Sequence, residues 1–289
     1  MIRMKSNENV IRLEELNWKQ IDELSRDKTI FFQPISLLEE HGPHLPVGMD
    51  FLTSRDLAIE AIKIINKKNK GLKCILLPAI PLGHCRANSD FPGTISIKGK
   101  VIRDIVYSTA SSLGQHGFKY MIICTWHLDF NHLKGIFQGM NKAIKKYNMK
   151  IYEPTGPHFW NSKIDIWDEG LKKKGYQIDF DPKKQMHGGH RETSIMKYQY
   201  PYLVDKKHNE LPTVYVNLMS RKCHGKFFKE LGITEGYVGS PSKANEEYGK
   251  MHFQDIANLY ANSAIALYEG KELPEMPEKL KMAMKLPFF

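Results

Sequence analysis

The sequence predicts an α/β protein, a three-layer α/β/α sandwich around a mostly parallel sheet. Three observations point there. Short apolar runs of strand length recur at Thr29–Ile35, Lys73–Ala79 and Tyr120–Thr125, and runs that are apolar throughout are those of strands buried on both faces. Between them lie segments whose apolar residues recur at helical spacing. This alternation of strand and helix gives parallel strands joined by crossovers that cover both faces of the sheet.

In chain order, residues 1–28 read as a lead-in with an amphipathic segment from about Trp18 to Leu24. After the first strand, a helix from Phe51 to Lys67 carries Leu52, Leu57, Ala58, Ala61, Ile62 and Ile65 on one face. The second strand leads into a polar loop, Gly83 to Thr94. A helix from Val101 to Leu113 follows, closed by Gly114 and Gly117. Beyond the third strand come a helix from about Leu133 to Tyr147 and a short strand at Lys150 to Tyr152. Residues 153–184, with Trp160 and Trp167, are irregular; they read as a lid over a site, or else as aromatic core and subunit contacts. A turn-rich stretch from Gly236 precedes a helix from about Ala244 to Tyr268, and residues 270–289 read as a tail. The whole, 1–289, is expected to form one domain.

Composition narrows the function classes. Hydrophobic residues make up 42% and charged residues 26% of the 289, as in soluble globular proteins. No apolar run reaches the roughly 18 residues that span a bilayer, and the N-terminal residues lack the apolar core of a secretory signal, so a cytoplasmic location is expected. The four cysteines are widely spaced with no CxxC pair, as in reduced thiols. The net charge of +10 comes from lysines scattered over helical faces without interleaved aromatics. It reads as solvated surface, not as a nucleic-acid partner.

Chemistry concentrates in three clusters. The first is Glu39-Glu-His41-Gly-Pro-His-Leu-Pro-Val-Gly-Met-Asp50, after the first strand, where open α/β sheets place their ligands. Glu39 and His41, two residues apart, leave an extended backbone on the same side. The turn forced by Gly42, Pro43 and Pro46 can return Asp50 to them, with two oxygens to bridge two cations; alternatively Asp50 caps the following helix. Mixed oxygen and nitrogen donors suit zinc, manganese or iron. The second cluster, His127 and Asp129, repeats the two-residue spacing after the third strand. A hydrogen-bonded core histidine is the bland alternative for His127. The third is His187-Gly-Gly-His-Arg-Glu192-Thr-Ser194, where glycines permit close backbone approach and His187 titrates near neutrality. The bland alternatives there are Thr193 or Ser194 as a simple helix cap and His190 as a surface residue.

Together with Phe91-Pro-Gly-Thr-Ile-Ser96 and Gly239-x-Pro-Ser242, these clusters occur in the order seen in the creatininase (creatinine amidohydrolase) family, which the chain resembles over roughly residues 29–265. The resemblance implies a single α/β/α domain, often assembled as a hexamer, around two divalent metal ions. It implies that Glu39 and His127 hold one ion, His41 the other, and that Asp50 bridges them. The remaining carboxylate is Asp129 in one branch of the family and Glu192 in another. Three departures fall near the pocket: Thr125-Trp126-His127 in place of Asn-Gly-His, Asn88 where many members have His, and Ser240 where Asp is frequent.

Two cations lower the pKa of a shared water and polarise a carbonyl. The expected reaction is hydrolysis of a C–N bond in a small cyclic amide or formamide, with His187 carrying the proton to the leaving group and Asp129 or Glu192 assisting. Opening of a keto-inositol ring by C–C cleavage is the alternative within the family. A metal-stabilised binding or assembly protein is the alternative of another class. The expected partners are a small-molecule substrate and further copies of the chain, with no nucleic acid and no membrane.

Overall fold

A computed structural model describes residues 10–68, 71–160, 175, 177, 181 and 184–288. Five strands, β1 (Ile11–Arg12), β2 (Thr29–Pro34), β3 (Lys73–Leu76), β4 (Tyr120–Cys124) and β5 (Lys150–Tyr152), form one sheet in the order β1-β3-β2-β4-β5. Every pairing is parallel. The helices are α1 (Trp18–Asp22), α2 (Met49–Lys68), α3 (Gly99–Gly114), α4 (Phe130–Tyr147), α5 (Thr155–Trp160), α6 (His190–Gln199), α7 (Glu246–Glu269) and α8 (Glu278–Lys285).

The period of two along each strand divides the core into two layers. From β2 and β4, Ile30, Phe32, Ile122 and Cys124 pack with Leu57 and Ala61 of α2 and with Ala257 and Tyr260 of α7. Their neighbours Phe31, Met121 and Ile123 face the other way, against Ile102 and Val106 of α3 and Ile136 of α4. All six residues of β2 are buried, because it lies mid-sheet and is covered on both faces. Burying one such apolar side chain stabilises by about 1.5–3 kcal/mol, which is why the polar exceptions at the strand ends call for explanation.

Two segments differ from expectation. The lead-in contributes β1, whose two residues pair with Ile75 and Leu76 of β3; a strand so short leaves no readable alternation. The tail contains α8, held on α4 by Gln138, which donates to the carbonyls of Met284 at 2.7 Å and Leu286 at 2.9 Å. Met276 and Met284 complete a small core with Leu133. Of the stretch 153–184 expected as a lid or as aromatic contacts, α5 lies among the described residues, whereas residues 161–174, with Trp167, lie outside them. Among the described residues no helix is long and apolar enough to cross a membrane.

Candidate metal centre and active-site cavity

The loops leaving β2 and β4 meet because the two strands are neighbours, and they are tied at once. Ser36 Oγ lies 3.1 Å from Thr125 Oγ1 and accepts from Trp126 N at 3.0 Å. Beyond this tie the chain after β2 turns sharply, with Glu39 N donating to Val47 O at 2.8 Å and Gly42 in the left-handed region at φ 81°. That turn delivers Asp50 to the cluster from the first turn of α2, inside the helix and not ahead of it.

The two histidines of the cluster are oriented in the same way. His41 Nδ1 sits 3.0 Å from Glu39 O, and His127 Nε2 sits 2.8 Å from His84 O. A carbonyl can only accept, so each of these nitrogens carries the proton and the other nitrogen presents its lone pair inward. The inward atoms face carboxylates: His41 Nε2 is 3.3 Å from Asp50 Oδ1 and 3.8 Å from Glu192 Oε2. His127 Nδ1 is 2.8 Å from Glu39 Oε2 and 3.1 Å from Asp50 Oδ2. Asp50 thus divides its two oxygens between the two histidines.

A lone pair facing carboxylate oxygens inside a protein needs a positive charge between them. Without a cation that charge is a proton. Burial opposes it, yet the charges of Asp50 and Glu192 hold the His41 pKa well above its ordinary value, and Glu39 and Asp50 do the same for His127. Reciprocally, burial would raise the carboxyls, but His127 and His187 keep Glu39 lowered and His41 and His127 keep Asp50 well below the usual range. The donor set fits a divalent cation equally well, since the outer N–H···O=C bonds are those that orient metal-binding imidazoles. Three groups bring ligand atoms within 4.8 Å of one another: Glu39, Cys85 and His127; His41, Asp50 and Glu192; and Glu39, His41 and His187.

Of the expected site residues, Glu39, His41, Asp50, His127, His187 and Glu192 therefore gather. Asp129 lines the same cavity but belongs to none of these three ligand groups. It caps α4 by accepting from His132 N at 2.9 Å, and the same oxygen takes His84 Nδ1 at 2.8 Å. Glu192 lies in the first turn of α6, reaches His41 and accepts from Gly188 N. Thr193 and Ser194 lie inside α6 and do not cap it; Thr193 Oγ1 is 2.8 Å from His44 Nε2. His190, read from sequence as a surface residue, is buried against Tyr248, with ring centroids 4.4 Å apart. Its place at the start of α6, just after the Gly189 cap, turns it inward.

His187 is set by an antiparallel bridge to Val238. Its Nε2 lies 2.7 Å from Glu40 O, its Nδ1 3.8 Å from Glu39 Oε1, and its ring lies 4.2 Å from that of His41. Gly188 makes this possible: its φ is +58°, and a Cβ there would sit 2.7 Å from the His41 carbonyl oxygen. The Phe91–Ser96 motif serves the same scaffold, Thr94 Oγ1 accepting from Glu40 N and Ser96 Oγ from Cys85 N.

Of the polar loop, sequence reasoning placed Asn88 near the pocket, as a departure from the family pattern, and missed Cys85. Asn88 is fully buried and donates to Glu39 Oε1 at 2.7 Å, and Cys85 joins Glu39 and His127 although no ligand spacing marks it. Asn88 stands where many family members have His, in a loop too polar to be core, and those were the available signals. The cluster opens on a cavity of about 840 Å³ whose apolar walls include Trp126, Phe130, Phe159, Trp160 and Phe228.

A creatinine amidohydrolase of Pseudomonas putida is 23% identical over 206 residues, 66% of this chain and 72% of that protein. The fold is shared with a crystal structure of creatinine amidohydrolase (creatininase), at TM-score 0.71 and 21% identity over 88% of this chain and 96% of that one. It is shared also with a structure described as creatininase Mn, at TM-score 0.71 and 20% identity over 88% and 97%. The family model described as Creatininase, creatinine amidohydrolase, matches residues 14–263, and the chain accordingly belongs to the creatininase family and is a metal-dependent amidohydrolase.

Proposed function

We propose that the chain holds two divalent cations, one at Glu39 and His127 and one at His41 and Glu192, with Asp50 bridging, and hydrolyses a C–N bond of a small cyclic amide or formamide. One observation carries this reading: two buried histidines each donate their outer N–H to a backbone carbonyl and aim the other nitrogen at shared carboxylates. Bound there, the cations supply a water of lowered pKa and a Lewis acid for the substrate carbonyl.

The chain's own groups do the rest. His187, with Nε2–H on the Glu40 carbonyl, keeps Nδ1 toward the cluster and is the group placed to carry a proton to the departing nitrogen. Flat aromatic walls at Trp126, Phe159 and Trp160 fit a small planar ring and exclude water from it. Zinc, manganese and iron all match the donor set. The single-domain organisation of residues 1–289 and a cytoplasmic location belong to the same proposal. So does a homo-oligomeric assembly, as the family resemblance implies.

The test is a substrate panel on metal-loaded protein, with creatinine, other cyclic amides and formamides set beside keto-inositols. Turnover of an amide, lost on chelation while the far-ultraviolet circular dichroism persists, is the expected outcome. Turnover confined to keto-inositols would replace C–N by C–C cleavage. A chain that turns over neither and unfolds on chelation would be a metal-stabilised binding protein.

A further inference from the structure

We infer that Cys85 is a thiolate ligand in this centre and makes the Glu39–His127 half of it selective for a borderline-soft cation such as zinc over manganese. The inference rests on the dinuclear reading above and adds a ligand to it. Three buried cysteines are present, and their surroundings differ. Cys74 and Cys124 pack inside the apolar layer under α2 and α7. Cys85, equally buried, belongs to none of the apolar clusters among the described residues and lines the site cavity. Its sulfur lies within 4.8 Å of ligand atoms of both Glu39 and His127.

A second observation points to a ligand at the same place. Glu39 Oε2, on a residue 2% exposed, has no hydrogen-bond partner, although His127 Nδ1 is 2.8 Å away. That pair is close without the alignment of a hydrogen bond, and the Cys85 sulfur stands beside it in the wall of the site cavity. The sulfur is also held in place: Cys85 N donates to Ser96 Oγ at 3.0 Å, and Sγ donates to Asn88 Oδ1 at 3.0 Å while Asn88 Nδ2 holds Glu39 Oε1. Binding a cation would exchange one weak S–H···O bond for a metal–sulfur bond, with the thiol proton released to solvent. Thiolate donors favour zinc and cobalt, whereas manganese prefers oxygen.

The experiment is cobalt substitution. The full chain and its C85S and C223S variants, stripped by chelation, are loaded with Co²⁺ and their electronic absorption recorded. Cys223, partly exposed, controls for stray thiols. The expected result is a thiolate-to-cobalt charge-transfer band in the near ultraviolet for wild type and C223S, lost in C85S while its visible cobalt bands remain. Visible bands without the charge-transfer band in wild type, or a band surviving in C85S, would overturn the inference and leave the dinuclear reading standing. Failure of the wild type to take up cobalt would overturn both. Should C85S not fold, X-ray absorption of zinc-loaded wild type decides: a sulfur shell at about 2.3 Å supports the inference, and nitrogen and oxygen alone at about 2.0–2.2 Å overturn it.

Discussion

Replacing Asp50 by Asn probes the proposed bridge with almost no change of volume. Asp50 is 1% exposed, with Oδ1 at 3.3 Å from His41 Nε2 and Oδ2 at 3.1 Å from His127 Nδ1. Asn keeps one acceptor, turns the other position into a donor and removes the negative charge that both halves of the centre share. A buried charged contact contributes about 1.5–3 kcal/mol, so losing two weakens cation binding by about 3–6 kcal/mol. At 1.4 kcal/mol per decade this is roughly two to four orders of magnitude in affinity. Calorimetric titration of the stripped protein with zinc, followed by elemental analysis and amide turnover, reads the effect directly. The expected outcome is fewer than two ions per chain and no turnover, with circular dichroism close to wild type. Two ions bound with wild-type affinity by Asp50→Asn would refute the bridging role and the dinuclear geometry built on it.

Further outcomes follow from the same geometry. Glu192→Gln is expected to lower metal content toward one ion per chain, whereas Asp129→Ala keeps both ions and costs about 0.5–2 kcal/mol of stability through the lost α4 cap; elemental analysis and denaturant titration separate the two, and the reverse pattern would move the second site to Asp129. Gly188→Ala places a Cβ 2.7 Å from the His41 carbonyl in a left-handed residue. The conformation alone costs about 1–2 kcal/mol, and a variant of undiminished stability and metal uptake would show that His41 does not depend on that approach. His44 gives the acid behaviour: burial, with His208 and His41 adding, depresses its pKa from 6.5 to about 4. The unfolded chain then binds more protons between these values, so this stability is present above about pH 6.5 and lost as pH falls toward 4, up to about 3 kcal/mol. His44→Gln is expected to flatten that part of the denaturation profile measured between pH 7 and 4; an unchanged slope would place the acid lability elsewhere.

Much of this was legible in the chain itself. Continuous apolar runs at Thr29 and Tyr120 and helical periodicity in α2, α3 and α4 fix the class of fold, because burial on two faces and on one face leave different periods. The repeated two-residue spacing after β2 and β4 located two site segments, since the carboxyl ends of neighbouring parallel strands must open on one crevice. Family resemblance supplied the candidates for each ion.

Only the tertiary structure decided how those candidates pair. Spacing says that Asp129 can follow His127 to the site; the start of α4 turns its carboxylate to His132 N and His84 instead, while α6, far along the chain, brings Glu192 to His41. Cys85 enters from a loop with no periodicity, so nothing local marked it, and the edge strand β1 and docked helix α8 owe their form to partners distant in sequence. Local patterns report the face a residue shows to the core, which short-range geometry sets. Which polar atoms meet across loops depends on packing between elements, and that is a property of the folded whole.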